Sequence, residues 1–288
     1  MKILGRLLLI PVLAVGFSSL AAAPADGPIF PDKNLEAGIR KQVFGNPEQL
    51  TAEEVSKLST LDLKGKDIHD LTGMEKCTHL AALDLADNQI SDLTPLKGLT
   101  EIQTLTLSRN KIQDLTPLSG LIRLQYLELT GNEVSNLAPL QNLTAMNSLY
   151  LSKNKVKDLT PISGLTKLFS LYLQGNQITD IKAVSNLKNL SSLDLSGNQI
   201  SNIAPLANLT GLRYLFLENN RITDLGTLVA MCKKDFEGEK NFAPFLFVYL
   251  AGNRLNETAK KNQITELKNF GVRVHLEEKE VKRNGGGA

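Results

Sequence analysis

Apolar residues recur along most of this chain with a period of 22 residues. Within each unit, positions one, four and six are apolar and position nine is asparagine, as in Leu80-Ala-Ala-Leu-Asp-Leu-Ala-Asp-Asn88. The frames begin at Leu58, Leu80, Ile102, Leu124, Met146, Leu168, Leu190, Leu212 and Phe245. A unit this short cannot enclose a core of its own and must stack on its neighbours. The period therefore predicts a solenoid and excludes most enzyme folds.

Position nine is polar in a unit that is otherwise apolar at its regular positions. Only the first frame departs from asparagine there, with Lys66. The others carry Asn88, Asn110, Asn132, Asn154, Asn176, Asn198, Asn220 and Asn253. We expect these side chains to be buried and to bond free backbone groups of the turn, because an unsatisfied buried polar group costs about 1–3 kcal/mol.

The second half of the unit, Ile90-Ser-Asp-Leu-Thr-Pro-Leu96 and its close copies, is rich in proline. The repeated prolines are Pro95, Pro117, Pro139, Pro161 and Pro205. Proline fixes φ and lacks a backbone donor, so we expect short 3₁₀ or turn segments on the convex side rather than long helices.

The segments before and after the regular repeats predict caps. Residues 26–57 form a helical N-terminal cap in this interpretation, with Asp32 capping one helix and Thr51-Ala-Glu-Glu54 opening another as a capping box. The repeats occupy 58–244. An insertion at 232–244 lengthens the spacing there and is expected to project as a loop or short helix.

The chain is expected to close with a helix and a strand. Residues 245–276 contain the last repeat and this C-terminal cap, with a helix over 256–271 followed by the strand Val272-Arg-Val-His-Leu276. The glycine-rich end of the chain predicts a flexible tail at 277–288.

The first 25 residues have the pattern of a secretory signal peptide. Lys2 and Arg6 precede the apolar run from Leu7 to Phe17, and small residues follow up to Ala25. The run is too short for a membrane span. We therefore expect a secreted or periplasmic protein, without a membrane span, after cleavage.

The charge and the cysteines of the chain limit the classes of partner and the disulfides that can be expected. The formal net charge is +2, and it falls to about zero without the predicted signal peptide. A net charge this small does not favour nucleic acid as a partner. Cys77 and Cys232 lie about seven repeats apart, too far for a disulfide, and we expect free buried thiols.

The frame LxxLxLxxNxIxxLxPLxxLxx and the lead-in Ile29-Phe-Pro-Asp-Lys-Asn-Leu-Glu-Ala37 resemble the 22-residue leucine-rich repeats and helical cap of the bacterial internalin family. The resemblance covers residues 29–276. It implies an α/β solenoid, a right-handed curved horseshoe with a parallel β-sheet on its concave face. It also implies protein recognition on that face.

Positions three, five and seven of each frame should point to the concave, solvent side, because side chains alternate along a strand. All five tyrosines of the chain fall on these positions. Tyrosine beside charge is typical of binding hot spots, although aromatic residues also favour strands without any partner. The predicted partner-binding residues are Tyr126, Glu128, Tyr150, Tyr172, Asp194, Tyr214, Phe216, Phe247 and Tyr249.

The leading hypothesis is an exported, non-enzymatic and monomeric module that binds a partner protein through this aromatic concave face. One alternative is carbohydrate binding on the tyrosines, and another is an intracellular scaffold similar to phosphatase-regulating leucine-rich repeat proteins. We expect no catalytic residues, metal or cofactor. The stacked carboxylates Asp62 and Asp84 are expected to be solvated, and the three histidines lack metal-ligand spacing.

Overall fold

A computed structural model describes residues 28–45 and 47–277. Within them, ten three-residue strands form one parallel sheet in chain order. The strands are β1 Thr60–Asp62, β2 Ala82–Asp84, β3 Thr104–Thr106, β4 Tyr126–Glu128, β5 Ser148–Tyr150, β6 Ser170–Tyr172, β7 Ser192–Asp194, β8 Tyr214–Phe216, β9 Phe247–Tyr249 and β10 Arg273–His275. Equivalent frame positions pair with one another, as Leu83 does with Leu105. The predicted solenoid is confirmed.

The inward positions build one continuous core along the sheet. Leu105 and Leu107, positions four and six of their frame, are fully buried, and burial of a leucine contributes about 1.5–3 kcal/mol. The last frame departs from this pattern at its first position. Phe245 is 51% exposed, whereas the next residue, Leu246, is fully buried. The 3₁₀ turn Ala243–Phe245 leads directly into this frame and replaces the regular approach to the strand.

The asparagines form the predicted ladder between adjacent repeats. Asn154 is buried, and its Nδ2 donates to the carbonyl oxygens of Leu129 at 2.9 Å and Leu151 at 3.1 Å. Its Oδ1 accepts the Val134 N–H of the preceding repeat at 2.9 Å. The arrangement recurs along the ladder and joins each turn to the one before it.

Short 3₁₀ turns connect the strands on the other side of the core, as the prolines predicted. The turns with proline near their start are Thr94–Leu96, Thr116–Leu118, Ala138–Leu140, Thr160–Ile162 and Ala204–Leu206. An aspartate or asparagine two residues before each turn caps it. Asp114 Oδ1, for example, accepts the backbone N–H of Thr116 at 2.8 Å.

Two helices precede the first strand. Helix α1, Lys33–Arg40, is capped by Asp32 and buries Leu35 and Ile39, and α2, Ala52–Ser56, begins at the predicted capping box. The side chain of Gln42 acts as a substitute strand at the edge of β1. Its amide donates to the carbonyl of Asp62 at 2.7 Å and accepts the N–H of the same residue at 2.9 Å.

Helix α3, Gly226–Glu237, fills the place where the repeat spacing lengthens. In the predicted insertion at 232–244, residues 233–241 are exposed or half-buried, whereas Cys232, Phe242 and Ala243 are buried. The segment folds back because Asp235 accepts the backbone N–H groups of Phe242 and Ala243. The two ends of the insertion are therefore held in the core, while its middle lies on the surface.

The C-terminal cap has the predicted helix and strand. A π-helical stretch, Ala259–Gln263, continues into α4, Ile264–Asn269, and β10 closes the sheet. Asn256 caps this helical region, since its Oδ1 accepts the N–H of Ala259 at 2.7 Å.

The predicted signal peptide at 1–25 and the tail beyond residue 277 lie outside the described residues. Within the described part, no helix is long and apolar enough to cross a membrane. The cysteines are free and buried as expected. Burial raises the pKa of each of these thiols, Cys77 and Cys232, to about 12.

Candidate binding surface

The outward positions of the ten strands form the face of the sheet that points away from the core, which we call the open face. The strands hold these side chains in two columns, because in-register pairing repeats positions three and five from strand to strand. All nine predicted partner-binding residues lie on this face, on β4 to β9. The frame therefore placed them on one surface, and their role in binding stays a prediction.

Three tyrosines form the first aromatic group, the tyrosine row, on β4 to β6. The ring centroids of Tyr126 and Tyr150 are 5.3 Å apart, and those of Tyr150 and Tyr172 are 4.9 Å apart in a stacked arrangement. The Tyr172 hydroxyl lies 2.8 Å from the Ser192 hydroxyl on β7. These contacts fix the rings, because neighbouring rings cover one another's faces and leave the ring edges exposed.

The second group, the C-terminal aromatic cluster, lies on β8 and β9. The Phe216 and Tyr249 rings stack at 4.6 Å, and the Tyr214 and Phe247 rings stack at 5.2 Å. Tyr214 is 44% exposed and is the most accessible tyrosine of the face. Strand β7 separates this cluster from the tyrosine row, since its outward residues are serines and an aspartate.

Two residues of β10 extend the cluster and were not among the predicted site residues. The His275 ring stacks on Tyr249 at 4.5 Å, and the Arg273 guanidinium lies 4.5 Å from the centre of the Phe247 ring. Strand β10 follows β9 by 26 residues rather than 22, so a search for the period misses it. The alternation of Arg273-Val-His275 was the feature of the sequence that could have identified Arg273 and His275 as outward residues of this face.

Three of the predicted residues are more deeply buried than solvent-facing positions suggested. Glu128 is 9% exposed, Asp194 is 1% exposed and Phe216 is 7% exposed. Both carboxylates accept the backbone N–H two residues further along the chain, from Thr130 at 2.8 Å and from Ser196 at 2.9 Å. They therefore have a local structural role in addition to any part in binding.

Burial also changes the acid–base properties of the tyrosine row. It raises the pKa of Glu128 above the ordinary value of 4.5. Burial likewise raises the pKa of Tyr126, and the nearby carboxylates of Glu128 and Asp84 raise it further. The pKa of Tyr150 is raised by burial first and then by Tyr172 and Glu128. At neutral pH the hydroxyls of Tyr126 and Tyr150 therefore remain protonated and can donate hydrogen bonds.

The open face offers contacts rather than an evident reaction centre. Asp62 and Asp84 are opposite one another on β1 and β2. Each accepts a backbone N–H of its own strand end, from Lys64 and from Ala86. Across residues 28–45 and 47–277, no three His, Cys, Asp or Glu side chains come together as a metal site would require.

Comparisons with known proteins agree with this architecture. The family model described as Leucine Rich repeats (2 copies) matches overlapping stretches that run from residue 78 to residue 230. The chain is similar to an internalin C2 from Listeria monocytogenes, with 33% identity and a TM-score of 0.68 over 70% of this chain and 91% of that chain. An internalin F from the same organism is 28% identical, with a TM-score of 0.51 over 90% of this chain and 95% of that chain.

A plant structure is also similar. The leucine-rich repeat ectodomain of the receptor kinase GASSHO1/SCHENGEN3 from Arabidopsis thaliana was solved in complex with CASPARIAN STRIP INTEGRITY FACTOR 2. It is 25% identical, with a TM-score of 0.60 over 70% of this chain and 25% of that chain. A search of the curated proteins finds no match for this sequence.

Proposed function

The chain belongs to the leucine-rich repeat family and is internalin-like, and from this premise we propose that it is an exported, non-enzymatic module that binds a partner protein through its open face. The observation that carries the proposal is the concentration of aromatic side chains there. Both aromatic groups lie on consecutive strands, and their rings are held by mutual stacking. Fixed aromatic side chains bind well, because little conformational entropy is lost when a partner covers them.

The ring geometry favours a protein ligand over a sugar. A sugar stacks on an open aromatic face, whereas the interplanar angles of 21° for Tyr150–Tyr172 and 17° for Phe216–Tyr249 mean that neighbouring rings cover these faces. Ring edges and hydroxyl groups remain for contact, and these suit the mixed apolar and hydrogen-bonding surface of a protein. The Arabidopsis relative, which was solved with a bound factor, supports the same class of ligand.

Export is part of the proposal. It is supported by the charged, apolar and small-residue order of residues 1–25 and by the similarity to internalins. An intracellular scaffold would retain these residues in the protein. Partner binding on the open face is proposed for the exported chain.

The tyrosine row is the first place to test the proposal. A partner recovered by affinity capture and identified by mass spectrometry is titrated against the protein and against the double variant Tyr150→Ala/Tyr172→Ala. We expect the Kd to rise by about 100-fold or more, since truncating a buried interface tyrosine costs about 2 kcal/mol or more at a hot spot.

The matched control is Phe236→Ala, which removes an exposed ring from α3 rather than from the open face. It should leave the Kd within about two-fold. Circular dichroism verifies that the variants retain the fold. An unchanged Kd in the folded double variant would exclude the tyrosine row as the binding surface, and binding on a glycan array with no protein ligand would favour the carbohydrate alternative.

A further inference from the structure

The open face changes character abruptly between β3 and β4. On β4, Tyr126 and the largely buried Glu128 begin the aromatic part. On β3, the outward residues are Thr104 and Thr106, and Ala82 precedes Asp84 on β2. Small side chains therefore form a low shelf, consisting of Ala82, Thr104 and Thr106, beside the first tyrosine.

Two carboxylates bracket this shelf. In-register pairing places Thr106 directly between Asp84 on one side and Glu128 on the other. Because adjacent strands lie about 4.8 Å apart, these two acidic residues of one column are separated by about 10 Å. A cation above Thr106 would lie about 5 Å from each of them, close enough for attraction to both.

The negative charge at the shelf is not neutralised by an ion pair. Within residues 28–45 and 47–277, neither Asp84 nor Glu128 forms a salt bridge with a basic side chain. The guanidinium of Arg109 bonds the carboxylate of Asp87 instead. The fields of Asp84 and Glu128 nevertheless reach both Arg109 and Tyr126, and they raise the pKa of each.

Resting on the proposed function, we propose that the shelf above Thr106, between Asp84 and Glu128 and beside Tyr126, binds an arginine side chain of the partner protein. Arginine fits better than lysine, because its planar guanidinium carries five donors and can address carboxylates on opposite sides. The same group gains from contact with a tyrosine ring. The shelf thus selects a charged anchor, and the aromatic groups beyond it supply apolar contact.

The test uses N-acetyl-arginine amide as the probe and N-acetyl-citrulline amide as its uncharged isostere. Each is titrated into the isotopically labelled protein, and backbone amide shifts are followed by NMR. We expect saturable shifts centred on Thr106 with the arginine probe and none with the citrulline probe. The double variant Asp84→Asn/Glu128→Gln should weaken probe binding by about 10-fold or more.

Asp62→Asn is the matched control, because this carboxylate lies in the same column, one strand beyond Asp84. It should change probe affinity by less than about two-fold. Thr106→Arg gives an independent check that retains both carboxylates: the new side chain occupies the shelf and should prevent binding of the probe. Binding should also weaken as the pH falls and Glu128 becomes protonated.

Equal shifts with the citrulline probe, shifts centred on other strands, or undiminished affinity in the double variant would overturn the inference. These outcomes do not depend on having the partner in hand. If the partner is captured and the double carboxylate variant binds it normally while the tyrosine variant does not, the arginine anchor is wrong and the proposed function stands. If the probe binds the shelf but no partner depends on the tyrosine row, the proposed function fails instead.

Discussion

Two features of its surroundings act in opposite directions on the ionisation of the Glu128 carboxyl group. The hydrogen bond from the Thr130 N–H favours its charged form, whereas burial beside the tyrosines disfavours that form more strongly and raises its pKa. A raised pKa means that the folded protein binds this proton more tightly than the unfolded chain does. The charged carboxylate therefore lowers stability above the raised pKa, and that penalty is relieved as the pH falls through this value.

Glu128→Gln should consequently stabilise the folded protein at pH 7, by an amount on the order of 1 kcal/mol. The amide oxygen can still accept the Thr130 N–H, while the charge that burial disfavours is gone. Urea unfolding at several pH values measures the effect, and the advantage of the variant should shrink below the raised pKa. Asp62→Asn, at an exposed position of the same column, should change stability by less than about 0.5 kcal/mol. A destabilised Glu128→Gln protein at pH 7 would contradict this account.

Each repeat is held to the preceding one by two different connections. Strand pairing joins them at the sheet, and the asparagine joins them at the turn that follows. Asn154 satisfies the carbonyls of Leu129 and Leu151 and the N–H of Val134 at once. Since these groups are buried, the ladder is a requirement of the turn geometry rather than an added stabilising contact.

Asn154→Ala should reduce the free energy of unfolding by about 2–4 kcal/mol, because it leaves four buried backbone groups, the Val134 N–H and the carbonyls of Leu129, Leu151 and Ser152, without that partner. Asn136→Ala is a suitable comparison in the preceding repeat. Its Oδ1 accepts one N–H, that of Ala138, at an exposed turn, and its loss should cost about 0.5–1.5 kcal/mol. Chemical denaturation of both proteins gives the two values, and equal losses would show that the ladder adds nothing beyond an ordinary cap.

The period predicted the strands, the asparagine ladder and the 3₁₀ turns, because each is fixed by contacts that repeat every 22 residues. It predicted the direction of the outward side chains but not how deeply each of them is buried. Glu128 and Phe216 are covered by their neighbours on the face, and alternation carries no information about such neighbours. The path of the insertion could not be predicted from the period either. Its path depends on the bonds that Asp235 makes to Phe242 and Ala243, which occur once in the chain.

An open sheet of stacked strands has two edges, and each must be protected from pairing with other molecules. At the N-terminal edge, Gln42 takes the place of a strand by bonding both the N–H and the carbonyl of Asp62. Helix α1 covers the core beside it with Leu35 and Ile39. The cap thus closes the core and blocks the polar edge with separate side chains.

Gln42→Ala should leave the helix in place and expose the edge of β1. We expect stability to fall by about 1–2 kcal/mol, as two backbone groups lose their partner, and self-association to rise with protein concentration. Analytical ultracentrifugation across a concentration series measures the second effect. Lys41→Ala, at the exposed neighbouring position, should behave like the unmodified protein. A Gln42→Ala protein that remains monomeric at every concentration would show that the edge is protected by other means.

The in-register stacking of the strands has a consequence for how such a surface can change over generations. Each regular strand contributes one row of outward side chains, and the residues that hold the fold lie at other positions of the same unit. Duplication or loss of 22 residues would keep every ladder and core contact in phase and move the rows beyond it by about 4.8 Å. Whole rows can therefore be gained or lost without disturbing the fold, so the composition of the open face can change by recombination as well as by point mutation.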